Sequence, residues 1–269
     1  MAISADARNP LGLFDMRDSV TLITGASGSF GRVCAIALGA LGGKLVLASG
    51  SAPELEQVAA EVREVGGEVV TALRRPETLA DTQAMLDQAL QAYGRVDHLV
   101  VASGFNKPGF IEQQSPEDWQ RVMDANVRGP WLLAKTVGSY WIREHIKGRA
   151  LLVSSTRGRH GNVSGYTAYC TSKGATDALT RVLATEWAQH GIRVNAIAPT
   201  VFRSKLTAWL WESDQGLGKA ARERTLSRIP LGRFGEPEDL IGISLYLLSR
   251  ASDFCTGQVI YVDGGFTAG

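Results

Sequence analysis

Short runs of apolar and β-branched residues alternate along this chain with longer stretches whose apolar residues recur at helical spacing. The pattern predicts strands over Val20–Thr24, Lys44–Ala48, Glu68–Leu73, His98–Ala102, Ala150–Ser154, Arg193–Ile197 and Gln258–Val262. It predicts helices over Phe30–Leu41, Pro53–Val65, Leu79–Tyr93, Pro116–Ile146, Tyr166–His190 and Pro237–Leu248. Short apolar strands separated by helices indicate βαβ units and a parallel sheet. The expected fold class is therefore α/β, a doubly wound parallel sheet of about seven strands flanked by helices. No Pro/Gly/Ser-rich linker, low-complexity tract or repeat divides residues 1–269, so a single domain is expected. Arg203–Arg233 carries helical stretches but no strand. An insertion before the last helix lies at the ligand end of such a sheet, which suggests a substrate lid.

Composition narrows the function classes. Apolar residues make up 45% of the 269, ample for a core, and the net charge of +1 gives no field for nucleic acid or an anionic membrane. Cys34, Cys170 and Cys255 are odd in number and far apart, against a disulfide framework or a cysteine metal site. The four histidines show no pairing at metal-ligand spacing, so no metal is expected. No apolar run is long enough to span a bilayer. The first residues carry Asp6, Arg8, Asp15 and Arg17 and lack the apolar core of a signal peptide, so a cytoplasmic location is the expectation.

Two motifs carry chemistry. Tyr169-Cys170-Thr171-Ser172-Lys173 sets a phenol and an ammonium one turn apart on one helix face. A nearby ammonium favours the phenolate, and a tyrosine so tuned exchanges a proton with a substrate oxygen near neutral pH. Thr24-Gly25-Ala26-Ser27-Gly28-Ser29-Phe30-Gly31 joins the first strand to the first helix. A glycine-rich turn there brings backbone N–H groups and a helix N-terminus up to a pyrophosphate.

From about Leu13 to Gly265, the order of these motifs resembles the short-chain dehydrogenase/reductase family, with its gluconate 5-dehydrogenase-like and 3-oxoacyl reductase-like members. The resemblance implies a Rossmann-type fold and an NAD(P)-dependent oxidoreductase acting on a secondary alcohol or ketone. It implies cofactor contacts from Gly25, Ser27, Ser29, Phe30 and Gly31 at the pyrophosphate, with Ser29 where the family's middle glycine stands. Ser49, Gly50 and Ser51 end the second strand, where an acidic residue would select NAD; Ser49 removes that repulsion and leans the reading toward NADP. Arg74 or Arg75 could approach the adenosine end. Ala72 or Leu73 stands where the family carries an adenine-binding aspartate. Val101-Ala102-Ser103-Gly104 replaces Asn-Asn-Ala-Gly, with Gly104 keeping room for the cofactor.

The same resemblance implies a catalytic set of Asn126, Ser155, Tyr169 and Lys173. Asn126 would hold a relay water by its carbonyl, and Ser155 would position the substrate oxygen. Lys173 would tune Tyr169 and hydrogen-bond the nicotinamide ribose, so Asn126, Tyr169 and Lys173 also count as cofactor contacts. The family's usual spacing to the tyrosine would select Thr156 instead of Ser155; the strand end and Gly158 select Ser155. Pro199, Phe202 and Ser204 match the loop that holds the nicotinamide carboxamide.

Beyond the set, Thr156-Arg157-Gly158-Arg159-His160-Gly161 brings positive charge beside the expected pocket, with Arg203 on the next loop. Arg159 and His160 are candidates to receive a carboxylate, and Trp209, in Trp209-Leu210-Trp211, to cover a ring-shaped substrate. A sugar acid, an oxoacyl group or a cyclic ketone fits the resemblance. It also implies a homotetramer or homodimer, packed through the helices Pro116–Ile146 and Tyr166–His190. The alternative is a non-catalytic, dinucleotide-sensing protein on the same fold.

Overall fold

A computed structural model describes residues 4–211 and 216–269. Its seven strands are β1 (Val20–Thr24), β2 (Lys44–Ser49), β3 (Glu68–Leu73), β4 (His98–Val101), β5 (Arg149–Val153), β6 (Arg193–Pro199) and β7 (Val259–Val262). They pair in parallel throughout, in the order β3-β2-β1-β4-β5-β6-β7. The chain winds outward from β1 to β3, then returns to the other side of β1 as β4. That reversal leaves a crevice outside the carboxyl ends of β1 and β4, where ligands bind in doubly wound sheets. The register sets those ends level, with Thr24 opposite both Ala48 and Val101.

Helices cover both faces, and this explains why the strands read as unbroken apolar runs. Neighbouring strand residues feed opposite cores. Leu22, Val46, Leu99 and Leu152 pack under the helices Leu79–Tyr93, Gly129–Arg143 and Thr167–Trp187, while Ile23, Leu47, Val100 and Leu151 pack under Ser29–Ala40, Ala52–Glu64 and Ile241–Leu248. All eight are buried. No helix among the described residues is long and apolar enough to cross a membrane.

One predicted helix is interrupted. Pro116–Met123 and Gly129–Arg143 are joined by a π-helical turn, Asp124–Arg128, with the Gly129 N–H bonded to the Asp124 carbonyl. Pro130 gives the cause. It has no N–H to donate to the carbonyl of Asn126 four residues back, so the regular ladder cannot pass this point. Beyond the turn, Gly138 lets this helix meet the helix Thr167–Trp187: a Cβ on Gly138 would lie 2.4 Å from the Trp187 ring.

Helix propensity favours alanine over glycine by about 1 kcal/mol. Overpacking the buried contact costs roughly 1–3 kcal/mol and reverses the sign. Gly138→Ala is therefore expected to destabilise the protein, measured as a lower midpoint of urea unfolding.

Candidate active site

The cofactor end is built by backbone geometry. Gly25 adopts a left-handed φ of 67°, and a Cβ there would lie 2.4 Å from the backbone N of Ser103. A Cβ on Gly31 would lie 2.3 Å from the Gly25 carbonyl oxygen, so the helix Ser29–Ala40 leaves β1 at the closest possible approach. That helix starts from Gly28 without a side-chain cap, leaving its first N–H groups open to an anion. Gly28 has an ordinary φ of −78°, and Ser29 is the first residue of the helix. The family's middle-glycine position thus demands no special backbone here, and serine is accommodated.

At the end of β2, the Ser27 and Ser49 hydroxyls lie 2.6 Å apart, and the Ser51 N–H donates to Ser49 Oγ. Ala72 is buried and Leu73 is exposed. Arg74 is paired with Asp81. Arg75 instead lies across Gly50: a Cβ on Gly50 would meet its Nε at 2.1 Å. The lack of a side chain at position 50 makes the room for a guanidinium from the neighbouring strand.

At the reacting end, the helix Thr167–Trp187 and the end of β5 bring Ser155, Tyr169 and Lys173 together. Lys173 is buried, its Nζ donates to the Val153 carbonyl at 2.8 Å and lies 5.6 Å from the centre of the Tyr169 ring. Burial lowers its pKa to about 8, partly countered by the Asp177 carboxylate. Burial likewise pushes the Tyr169 phenol up to about 12, opposed by a hydrogen bond from Ser155 and by the charge of Arg157. The sequence expectation was a phenol lowered by Lys173. In this arrangement the ammonium is held on the backbone, over the ring, and desolvation of both groups dominates. Ser155 caps the turn Thr156–Gly158 and reaches the Pro199 carbonyl at 3.4 Å, whereas Thr156 is 1% exposed. Of the two hydroxyls, it is Ser155 that opposes the upward shift of the phenol.

Asn126 sits in the π-turn, 2% exposed. Its side-chain amide clamps the loop after β4, accepting from the Phe105 N–H and donating to the Phe105 carbonyl, both at 2.8 Å, and it donates to Ser172 Oγ. Its main-chain carbonyl takes a long 3.5 Å bond from Thr176. Gly104 stands between these groups, with room for a Cβ 3.4 Å from Asn126 Oδ1 and 3.8 Å from Lys173 Nζ. On the loop after β6, the Phe202 ring packs on Gly235, and Ser204 caps the turn Lys205–Leu210 with Thr207.

The substrate candidates separate. Arg159 is exposed and lies over Tyr261, and Arg203 is paired with Glu236 at 2.9 Å. Arg157 is the arginine of that loop whose charge reaches Tyr169. His160 meets Phe266 edge-on. Trp209 is 46% exposed, while Trp211 packs on Phe234. Within the expected lid, residues 212–215 lie outside the described residues. Asn106 Oδ1, His160 Nε2 and Trp211 Nε1 are buried without a partner among the described residues. Arg149 Nε, at the amino end of β5 and away from this site, is unpaired among them as well, and nothing in the one-dimensional pattern singles out Asn106.

A family model described as enoyl-(acyl carrier protein) reductase matches residues 25–267. Over its whole length, the chain is 50% identical to the uncharacterized oxidoreductase Rv1714 of Mycobacterium tuberculosis, across 98% of that protein. The chain belongs to the short-chain dehydrogenase/reductase family. The structure of the gluconate 5-dehydrogenase of Burkholderia cenocepacia in complex with NADP and tartrate matches with a TM-score of 0.90 at 27% identity, over 97% of this chain and 100% of that one. An NAD+-bound xylitol dehydrogenase matches with a TM-score of 0.87 at 27% identity, over 93% of this chain and 99% of that one.

Members of this family are NAD(P)-dependent oxidoreductases acting on CH–OH groups, and this chain is an enzyme of that kind. The open helix N-terminus after Gly25 and the space kept by Gly104 fit a dinucleotide laid across the crevice. Among the described residues, no group of three or more His, Cys, Asp or Glu could hold a metal ion.

A buried ammonium costs stability. With the folded pKa of Lys173 near 8 and its ordinary value at 10.5, the cost is full below pH 8 and vanishes above about 10.5. Lys173→Met is expected to stabilise the ligand-free protein at pH 7 by roughly 1–3 kcal/mol, with the gain fading toward pH 10.5. Urea unfolding at the two pH values measures it.

Proposed function

We propose that Tyr169 is the proton donor and acceptor of a hydride transfer between NADP(H) and a secondary alcohol or ketone. The observation that carries this reading is a half-buried tyrosine whose phenol is influenced by Ser155, with a lysine of displaced pKa one turn away. The nicotinamide, when bound, supplies or takes the hydride. In reduction, Ser155 holds the carbonyl oxygen and Tyr169, protonated at neutral pH, gives it the proton. Lys173, whose proton is loosely held, replenishes the phenol. The Asn126 carbonyl, denied its regular donor four residues on by Pro130, supports the water that links Lys173 to solvent. Phe202 and Ser204 orient the nicotinamide from the loop after Pro199.

The substrate is a small carbonyl or alcohol compound: a sugar acid, an oxoacyl group or a cyclic ketone. Residues 203–233 act as its lid on a single domain spanning 1–269. The enzyme works in the cytoplasm as a homotetramer or homodimer. For the cofactor, NADP is favoured. Arg75 has no carboxylate partner among the described residues and lies over Gly50, which the chain sets between Ser49 and Ser51, a setting for a 2′-phosphate.

Tyr169→Phe is expected to lower kcat by ~10²–10⁴-fold while the protein still binds NADPH, followed by nicotinamide fluorescence; a variant that kept full turnover would sink the mechanism. Arg75→Ala is expected to raise the KM for NADPH by roughly 10-fold or more and to leave that for NADH nearly unchanged, read from steady-state rates with both cofactors.

A further inference from the structure

The loops around Tyr169 carry many arginines, and the structure sorts them. Arg203 pairs with Glu236, Arg233 with Asp239, and Arg224 reaches the Ser164 hydroxyl. Arg157 and Arg228 have no carboxylate partner among the described residues. Instead, both guanidinium groups lie against one ring, that of Phe266, at 5.6 Å and 4.4 Å from its centre. Phe266 itself is 4% exposed and belongs to a small cluster with Ile229 and Phe234, packed by Leu226, Val201 and Trp211. This cluster ties the lid segment to the C-terminal tail. The ring therefore fixes two like charges beside the reacting end.

Two like charges held together without a counter-charge are unfavourable, and burial adds to the cost at Arg157, whose pKa is lowered mainly by desolvation with Arg228 contributing. Arg157 offsets part of this by donating from Nη1 to the Gly161 carbonyl at 2.7 Å. Its remaining N–H groups meet no acceptor among the described residues. His160, edge-on to the same ring, holds a buried Nε2 with no partner among the described residues. Arg157 lies two residues after Ser155, on the turn that positions that hydroxyl.

We propose that Arg157 and Arg228, aligned by Phe266, receive a carboxylate of the substrate and hold its reacting carbon toward Ser155 and Tyr169. The proposal rests on the reaction assigned above and narrows its substrate to an oxo or hydroxy acid. A carboxylate suits the site, because a planar acceptor can take the free edge of a guanidinium already committed on one side. His160 Nε2 completes the polar wall.

The test compares 3-oxocyclohexanecarboxylate with its carboxamide as NADPH-dependent substrates. The wild type is expected to favour the acid in kcat/KM by about 10-fold or more. Arg157→Gln and Arg228→Gln are each expected to lower the acid value by roughly 10–100-fold and the amide value by less than about threefold. Arg228 is an exposed side chain, so its variant keeps the test intact if Arg157→Gln fails to fold. Binding is read separately by calorimetric titration of succinate into the NADPH-loaded protein. Saturable binding retained in Tyr169→Phe and lost in both arginine variants supports the site even if neither ketone is turned over. Equal rates on acid and amide, equal losses on both, no succinate binding, or tighter binding of inorganic phosphate than of succinate would overturn the assignment. Full turnover by Tyr169→Phe would overturn the reaction reading and leave the carboxylate site standing on the succinate result.

Discussion

A polar seam between β5 and the helix Thr167–Trp187 is the constraint on which the site depends. Ser154 donates to Asp177 at 2.5 Å and to the Lys173 carbonyl at 3.3 Å, and Lys173 Nζ donates to the Val153 carbonyl. Gly158 closes onto the seam, since a Cβ there would come within 2.6 Å of Asp177 Oδ2. Asn126 and Ser172 extend it to the loop after β4. These groups are buried, and a buried polar group left unpaired is costly, so the seam admits few alternative arrangements. It sets the strand end carrying Ser155 against the helix carrying Tyr169 and Lys173.

The seam also explains why chemistry and stability pull apart. An ammonium taken out of water is destabilising, and its proton is held loosely for the same reason. A residue of this kind is poor as a structural element and suited to proton exchange near neutrality. Tyr169 shows the converse: burial keeps its proton on, so in the ligand-free protein it is poised as an acid. Ser155 and Arg157 are the neighbours that oppose this shift, and both lie on the turn after β5.

The π-turn shows how one residue far from the chemistry can shape it. Pro130 withholds an N–H from the Asn126 carbonyl, and the helix accommodates by widening. The amide of Asn126 is thereby turned onto Phe105, fixing the loop at the carboxyl end of β4. Across the crevice, Gly25 and Gly31 bring their own loop to the same edge. The crevice between β1 and β4 is thus defined by backbone contacts on both sides.

Much of this was legible in the sequence, because its causes are local. Apolar periodicity marked all seven strands within a residue or two of their ends, and the glycine turn and the Tyr169–Lys173 spacing placed the two halves of the site. Pro130 was visible too, and its effect on the Asn126 carbonyl follows from chemistry within one helical turn. Other features needed the tertiary structure. Arg74 and Arg75 are adjacent in the chain, yet one is spent on Asp81 and the other lies over Gly50, from a different strand. Arg157 and Arg228 are separated by seventy residues of sequence and meet only through Phe266 near the C-terminus. The direction of the Tyr169 shift likewise depends on burial, which spacing along a helix does not encode. The sequence determined the layers of the fold and which residue types stand at the carboxyl edge of the sheet, since those follow from hydrophobic pattern and local geometry. Which charges are paired was decided by long-range packing, because a charge finds its partner through space and not along the chain.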